Sequence, residues 1–139
     1  MVSNDVYRYD ISNDIWEEYN DVLSVERRSF GSVHVPNTDY IVLVGGDTGG
    51  QFSAEHEFLD LVEVFDISTN TIDASVELPQ LNQGRAGGVT VMEEWTDMIY
   101  IVGGEYETDV GVYDNAETLE LEDFDLDSLS ASDSDSDSY

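Results

Sequence analysis

The chain has 139 residues, with 32 Asp and Glu residues against four Arg and no Lys, so its formal net charge is −28. This charge repels phosphate backbones and anionic lipids, so we expect no nucleic-acid or membrane partner; the natural electrostatic partners are basic proteins or cations. The absence of cysteine excludes disulfides, thiolate metal sites and thiol nucleophiles.

The charge is spread along the chain. Nine of the acidic residues lie in residues 117–139, so residues 1–116 alone carry a net −19. A plain alternative to a basic partner is that the acidity keeps the chain soluble in a salt-rich environment. Residues 1–5 lack the features of a secretion signal, and no apolar run is long enough to cross a bilayer. We therefore expect a soluble intracellular protein, cytoplasmic or nuclear.

The first strand-like segment, Val6–Asp10, recurs along the chain. Its pattern of Val, an aromatic residue three positions later and then Asp returns in Val62–Asp66 and again in residues 110–114. Six positions after the first two Asp residues an apolar residue follows, Trp16 or Ile72. Turn-forming residues lie between, so these two copies each predict a β-hairpin.

A second pattern alternates with the first. Residues 28–31 and 85–88 each begin with Arg and end with Gly. The later runs Tyr40–Val44 and Met98–Val102 are rich in β-branched residues, which is typical of strands buried on both faces, and each is followed by a Gly pair. Both patterns keep the same order with a period of about 50 residues, which predicts an all-β repeat architecture.

The combined pattern resembles the kelch repeat, which is typically one four-stranded blade of a β-propeller. The resemblance covers about residues 6–116 and implies an all-β fold of about two kelch-type blades. It implies an incomplete ring, because propellers close with four to eight blades. In the third copy the pattern fails, because Glu120 stands six positions after Asp114.

The resemblance implies structural roles for the residues of the motif. The Arg residues would satisfy backbone or neighbouring-blade acceptors, the Gly pairs would lie near the central axis, and the aromatic residues would pack between blades. The motif residues are Tyr9, Asp10, Trp16, Arg28, Gly31, Gly45, Gly46, Phe65, Asp66, Arg85, Gly88, Gly103, Gly104, Tyr113 and Asp114.

Two blades alone would expose apolar faces and unpaired strand edges. Three alternatives follow: the chain is a fragment of a longer protein, several copies assemble into a homo-oligomeric ring, or the chain folds only against a partner. We expect the first, since the sequence begins within a repeat and its last repeat departs from the pattern.

A long segment between the first Gly pair and Val62 predicts a partner-binding loop. It has 15 residues, against five in residues 105–109, and loops on rigid scaffolds often carry recognition. Phe52 and Phe58 are candidate anchors, with Glu55, His56 and Glu57 as a polar rim. The alternative is a tolerated insertion whose aromatic residues pack on a blade. We expect no metal site there, because adjacent strand residues point to opposite faces.

The C-terminal segment, residues 117–139, is acidic and rich in Ser and Asp, and we expect a disordered tail. Three serines each have an acidic residue three positions later, which predicts phosphorylation by an acidophilic kinase: Ser130, Ser132 and Ser134. The alternative is an inert, solubilising tail. The predicted organisation is therefore a partial kelch-type propeller in residues 1–116 followed by this tail.

Function follows from what the chain contains and lacks. With two His, no Cys and no nucleophile-elbow motif, we expect no catalytic site and no cofactor. Kelch-type blades then predict a protein–protein interaction module. Two alternatives stay open: a part of a propeller enzyme whose catalytic residues lie on other blades, or a non-functional gene fragment.

Overall fold

The computed structural model describes residues 2–49, 57–106 and 111–121. Within these ranges the chain is all-β and contains no helix, so none that could cross a membrane. The predicted all-β class is thereby confirmed for this part of the chain. The strands are β1 (Val6–Asp10), β2 (Ile15–Tyr19), β3 (Gly31–His34), β4 (Tyr40–Val44), β5 (Val62–Asp66), β6 (Thr71–Ile72), β7 (Val89–Glu93), β8 (Met98–Val102), β9 (Glu105–Tyr106), β10 (Gly111–Val112) and β11 (Ala116–Glu120).

The strands form antiparallel sheets, none of which closes on itself. Strands β1 and β2 form the N-terminal hairpin. Strands β3, β4, β5 and β6 pair in chain order as the central sheet. The C-terminal sheet has the order β11-β8-β7, and the short β9–β10 hairpin lies in the connection between β8 and β11. Every pairing is thus reached by a local or nearby connection, as in a β-meander.

The Asp that ends each predicted hairpin strand fixes the turn behind it. The Asp10 carboxylate accepts hydrogen bonds from the backbone N–H groups of Ser12 at 2.9 Å and Asn13 at 3.1 Å. The Asp66 carboxylate accepts the backbone N–H of Ser68 at 2.8 Å. Hydrogen bonds from Asn13 hold the pKa of Asp10 below its usual value. These carboxylates stabilise the reversals that join β1 to β2 and β5 to β6.

The central sheet is covered on both faces. One face packs on the C-terminal sheet in a large apolar cluster that includes Val42, Val64 and Ile99. The other face packs on Val6 of the N-terminal hairpin and on Val22 and Leu23 just after it, in a smaller cluster that includes Leu43 and Phe65. The prediction that Tyr40–Val44 is buried on both faces is therefore confirmed.

The same prediction is wrong for Met98–Val102. Ile99 and Ile101 are buried against the central sheet, whereas Tyr100 is 37% and Val102 is 48% exposed. The outward face of the C-terminal sheet has no other sheet against it in the described part of the chain. Strands of nearly identical composition therefore differ in burial because one lies in the middle of the array and the other at its end.

The third copy of the hairpin pattern lies elsewhere than the sequence predicts. β11 pairs with β8 from Ala116↔Val102 to Glu120↔Met98, just as β5 pairs with β4 from Val62↔Val44 to Asp66↔Tyr40. The structural counterpart of Val62–Asp66 is therefore Ala116–Glu120, and Tyr113 and Asp114 precede the strand. Between the Gly pair and this strand there are 11 residues (105–115), against 15 (47–61) in the central sheet, so the predicted insertion shrinks to four residues.

The predicted boundary between residues 1–116 and 117–139 is also placed too early. β11 crosses it, and both Leu119 and Leu121 are buried in the large apolar cluster. Apolar residues at alternate positions among acids are typical of a strand with one buried face. The tail beyond residue 121, with Ser130, Ser132 and Ser134, lies outside the described residues.

Truncating a side chain in the large cluster tests this packing. Ile99→Ala is expected to lower the free energy of unfolding by about 2–5 kcal/mol, because it leaves a cavity between the central and C-terminal sheets. Urea denaturation followed by circular dichroism measures the change. The control is Val112→Ala, at an exposed position on β10, which is expected to change little. Equal losses in the two variants would contradict the packing described here.

Candidate functional site

The predicted partner-binding loop is only partly within the described residues. Phe52, Glu55 and His56 lie outside them. Glu57 is exposed, and its backbone N–H donates to the Thr48 hydroxyl at 2.9 Å. Phe58 is half-buried and forms a β-bridge with Asp47. The two ends of the loop thus pair with each other, while the binding role of the loop stays a prediction.

A buried ion pair stabilises the end of the central sheet at which β4 ends and β5 begins. Arg27 donates to the Gly45 carbonyl at 3.1 Å and to the Glu63 carboxylate at 2.8 Å. The Arg27 side chain is fully buried, and Glu63 also accepts a hydrogen bond from the Ser24 hydroxyl at 2.6 Å. Burial lowers the pKa of the Arg27 guanidinium, and the neighbouring Glu63 charge opposes that shift. The pair ties the segment before β3 to both β4 and β5.

The C-terminal sheet repeats this arrangement. Arg85 donates to the Gly103 carbonyl at 2.9 Å and to the Glu117 carboxylate at 2.8 Å. Glu117 also accepts the backbone N–H groups of Asn82 and Gln83, at 2.5 and 3.2 Å. Each guanidinium in addition lies over an aromatic ring, Phe30 for Arg27 and Tyr113 for Arg85.

This repeat corrects the pairing of arginines drawn from the sequence. Arg27, not Arg28, is the counterpart of Arg85. Arg28 is half-exposed and forms its ion pair with Asp47 at 3.1 Å. Glu63 and Glu117 were not predicted, because the sequence contains 32 acidic residues and nothing local distinguishes these two from the others. The signal that could have found them is their position at the second residue of β5 and of β11.

The first Gly pair, Gly45 and Gly46, lies where the central and C-terminal sheets meet. Gly45 has a φ of 66°, and a Cβ there would come within 2.5 Å of the Arg85 carbonyl oxygen. The neighbouring Gly46 donates its N–H to the same carbonyl at 2.8 Å. Any side chain at Gly45 would separate the two sheets. The other glycines of the predicted motif lie at similarly close contacts or at positive φ: Gly31, Gly88, Gly103 and Gly104.

The outer side of the N-terminal hairpin is aromatic and exposed. We call Tyr7, Tyr9 and Trp16 the N-terminal face. Tyr9 and Trp16 are direct cross-strand neighbours whose ring centroids lie 5.0 Å apart. Their structural counterparts in the central sheet, Phe65 and Ile72, lie in the smaller apolar cluster, which also contains Val6 of the hairpin and Leu23 just after it. Trp16, by contrast, is 67% exposed.

The outer side of the C-terminal sheet is also apolar and exposed. We call Val89, Val91, Tyr100 and Val102 the C-terminal face. They form two direct cross-strand pairs, Val89↔Val102 and Val91↔Tyr100, so all four point to the same side of the sheet.

The counterparts of this face in the central sheet are covered. Tyr100 and Val102 occupy the positions that Val42 and Val44 hold in β4. Those two residues are 0% and 3% exposed, because the C-terminal sheet covers them. Each exposed face therefore corresponds to a surface of the central sheet that is packed against a neighbour: the N-terminal face to that of Phe65, and the C-terminal face to that of Val42 and Val44.

No group of three or more His, Asp or Glu side chains in the described part of the chain is arranged to hold a metal ion. His34 is engaged with the Thr38 carbonyl at 2.8 Å and so stabilises the turn after β3.

No protein-family model matches the sequence, and no curated protein matches it. Among solved structures the chain is similar to the structure of YjhT, with a TM-score of 0.62 and 17% sequence identity. The similarity covers 87% of this chain and 36% of that one, so the chain spans about a third of the length of YjhT. The likeness concerns the fold alone.

Removing the charge of Glu117 tests the buried pair. Glu117→Gln leaves the Arg85 guanidinium buried without a counter-charge and is expected to cost about 3–5 kcal/mol of unfolding free energy. The matched control is Glu17→Gln, which breaks the exposed pair with Arg8 and is expected to have no measurable effect. Urea denaturation of both variants gives the comparison. Similar stabilities of the two variants would show that the buried pair does not hold the sheet together.

Proposed function

We propose that the three sheets are blades of a kelch-type β-propeller and that the chain works as a protein–protein interaction module. On this proposal the central sheet is one complete four-stranded blade. The N-terminal hairpin supplies the last two strands of the blade before it, and the C-terminal sheet the first three of the blade after it. The repeated Arg–Glu pairs and the repeated Gly pairs support this division, because they recur at the same places in successive sheets.

The observation that carries the interaction function is the match between the two exposed faces. Inside the chain, the surface equivalent to the C-terminal face is covered by the next sheet, and the surface equivalent to the N-terminal face by the preceding hairpin. A sheet of the same kind therefore fits each face. We propose that the N-terminal face of one such unit packs on the C-terminal face of another.

This contact is head-to-tail, and contacts of that type close into rings when the rotation between units allows it. The further sheets come from the same polypeptide or from other copies of this chain. The chain spans about a third of YjhT, which leaves room for such sheets in a protein of that size. The proposal assigns binding, and no catalysis, to the residues described.

Charge sets the conditions for this contact. With a net charge of −28, two copies repel each other at low ionic strength. At about 1 M salt the screening length falls to about 3 Å, while burial of apolar surface is not weakened. Association through the two faces should therefore increase with salt.

Light scattering on a sizing column tests the proposal. The purified chain is expected to be larger than a monomer at high salt and to shift toward the monomer as salt is lowered. Trp16→Ser and Val102→Ser, one on each face, are each expected to reduce the association. Val112→Ser removes a still more exposed apolar side chain outside both faces and serves as the control.

Two results would count against the proposal. One is a monomer at every salt and protein concentration, which would mean that the exposed faces have no affinity for sheets of their own kind. The other is an equal loss of association in Val112→Ser and in the two face variants, which would point to unspecific hydrophobic contact.

A further inference from the structure

A cavity outside both faces lies between two turns of neighbouring sheets. It has a volume of about 230 Å³ and is open to solvent. One wall is the turn between β3 and β4, and the other is the turn between β7 and β8. The residues that line it are Pro36, Asn37, Glu94, Trp95 and Asp97.

Trp95 presents its indole ring to solvent from a fixed turn. Its side chain is 95% exposed. The Glu93 carboxylate accepts the backbone N–H groups of Trp95 at 3.0 Å and of Thr96 at 2.8 Å, and also the Thr96 hydroxyl. These hydrogen bonds hold the pKa of Glu93 below its usual value. The Leu121 N–H donates to the Asp97 carbonyl at 2.9 Å, which fastens the turn to the end of β11.

The opposite wall is held just as firmly. Thr38 is buried, its hydroxyl donates to the Val35 carbonyl at 2.8 Å, and it accepts the Tyr40 N–H at 3.1 Å. The Val35 N–H donates to the Tyr40 carbonyl at 3.0 Å and closes the turn. The backbone of both walls is therefore ordered before a ligand enters, which lowers the entropic cost of binding, while the exposed Trp95 indole becomes ordered on the ligand.

The chemistry of the lining selects a cation. The face of an indole ring attracts positive charge, and Trp is the best of the aromatic residues in this respect. Glu94 and Asp97 add two carboxylates, and no basic residue lines the cavity. The surrounding charge of −28 raises the local concentration of cations further.

A guanidinium group fits this lining better than an ammonium group. It is planar and stacks on an aromatic face, and it can donate two parallel hydrogen bonds to one carboxylate. An ammonium group has the same charge but offers neither the planar surface nor the paired donors.

We propose that this cavity binds an arginine side chain of a protein partner, an inference that rests on the proposed interaction function for the nature of the ligand. The indole of Trp95 stacks on the guanidinium, and Glu94 and Asp97 pair with its charge. Arginine recognition thus takes place at the turns of the sheets, while the two exposed faces contact other sheets.

Fluorescence anisotropy with a short labelled peptide of alternating Arg and Gly tests the proposal. Trp95→Ala is expected to raise the Kd about tenfold or more, because the stacking surface is lost. Glu94→Gln combined with Asp97→Asn is expected to raise it by a similar factor. A peptide of alternating Lys and Gly, with the same charge, is expected to bind the unmodified chain more weakly.

The matched control separates a site from general attraction to an acidic protein. Glu26→Gln combined with Glu77→Gln removes the same charge from two exposed positions outside the cavity and is expected to change the Kd less than twofold. The proposal is overturned if this control weakens binding as much as the cavity double variant does. It is also overturned if Trp95→Ala binds the peptide as tightly as the unmodified chain, or if the Lys peptide binds equally well.

The test does not depend on association of the two faces. It is run at low salt, where repulsion keeps the copies apart, and light scattering on the same samples reports their size. A chain that binds the Arg peptide through Trp95 but never associates would contradict the contact between faces and leave the cavity assignment standing. A chain that associates through the two faces but binds the Arg peptide independently of Trp95 would contradict the cavity assignment and leave the contact between faces standing.

Discussion

Each sheet of this chain carries apolar side chains on both sides, and a sheet of that kind needs a neighbour on each side to remove them from water. The central sheet has both neighbours, so Val42 and Val64 on one side and Phe65 on the other are buried. In the described part of the chain the N-terminal hairpin and the C-terminal sheet have one neighbour each, and Trp16 and Tyr100 stay exposed. The proposed function follows from this difference, because other sheets packed on the two exposed faces would remove these side chains from water.

Two devices let the sheets stack closely. Glycine at position 45 lets the chain pass within contact distance of the Arg85 carbonyl, where a side chain would force the sheets apart. The Arg–Glu pairs bury a charged guanidinium in the same crowded region. The cost of removing that charge from water is offset by the carboxylate, the backbone carbonyl and the aromatic ring around each guanidinium. The Arg–Glu pair and the positive φ of the Gly pair recur in the C-terminal sheet, where Gly104 contacts the segment just before β7.

Much of this fold could be predicted from the sequence, because strand periodicity, Gly pairs and the Asp of the hairpin turns are local signals. The hairpin strands Val6–Asp10 and Val62–Asp66 and their partners were found in this way. The position of the last strand could not be predicted in this way. The Val, Tyr and Asp of residues 110–114 match the pattern, but Glu117 and Leu119 make the contacts to Arg85 and to the core.

The partner of a buried arginine and the exposure of a strand at the end of the array depend on contacts distant in sequence, which local patterns do not contain. The cavity at Trp95 was missed for the same reason, since it is built by turns of two different sheets.

Cross-linking between two singly substituted chains tests the contact between faces most directly, and the absence of native cysteine makes it clean. Tyr9→Cys marks the N-terminal face and Tyr100→Cys the C-terminal face. When the two variants are mixed at high salt with a short bismaleimide, head-to-tail packing predicts that the mixed product exceeds either homodimer. Homodimers in equal or greater yield, or no cross-link at all, would contradict the proposal that these faces bind one another.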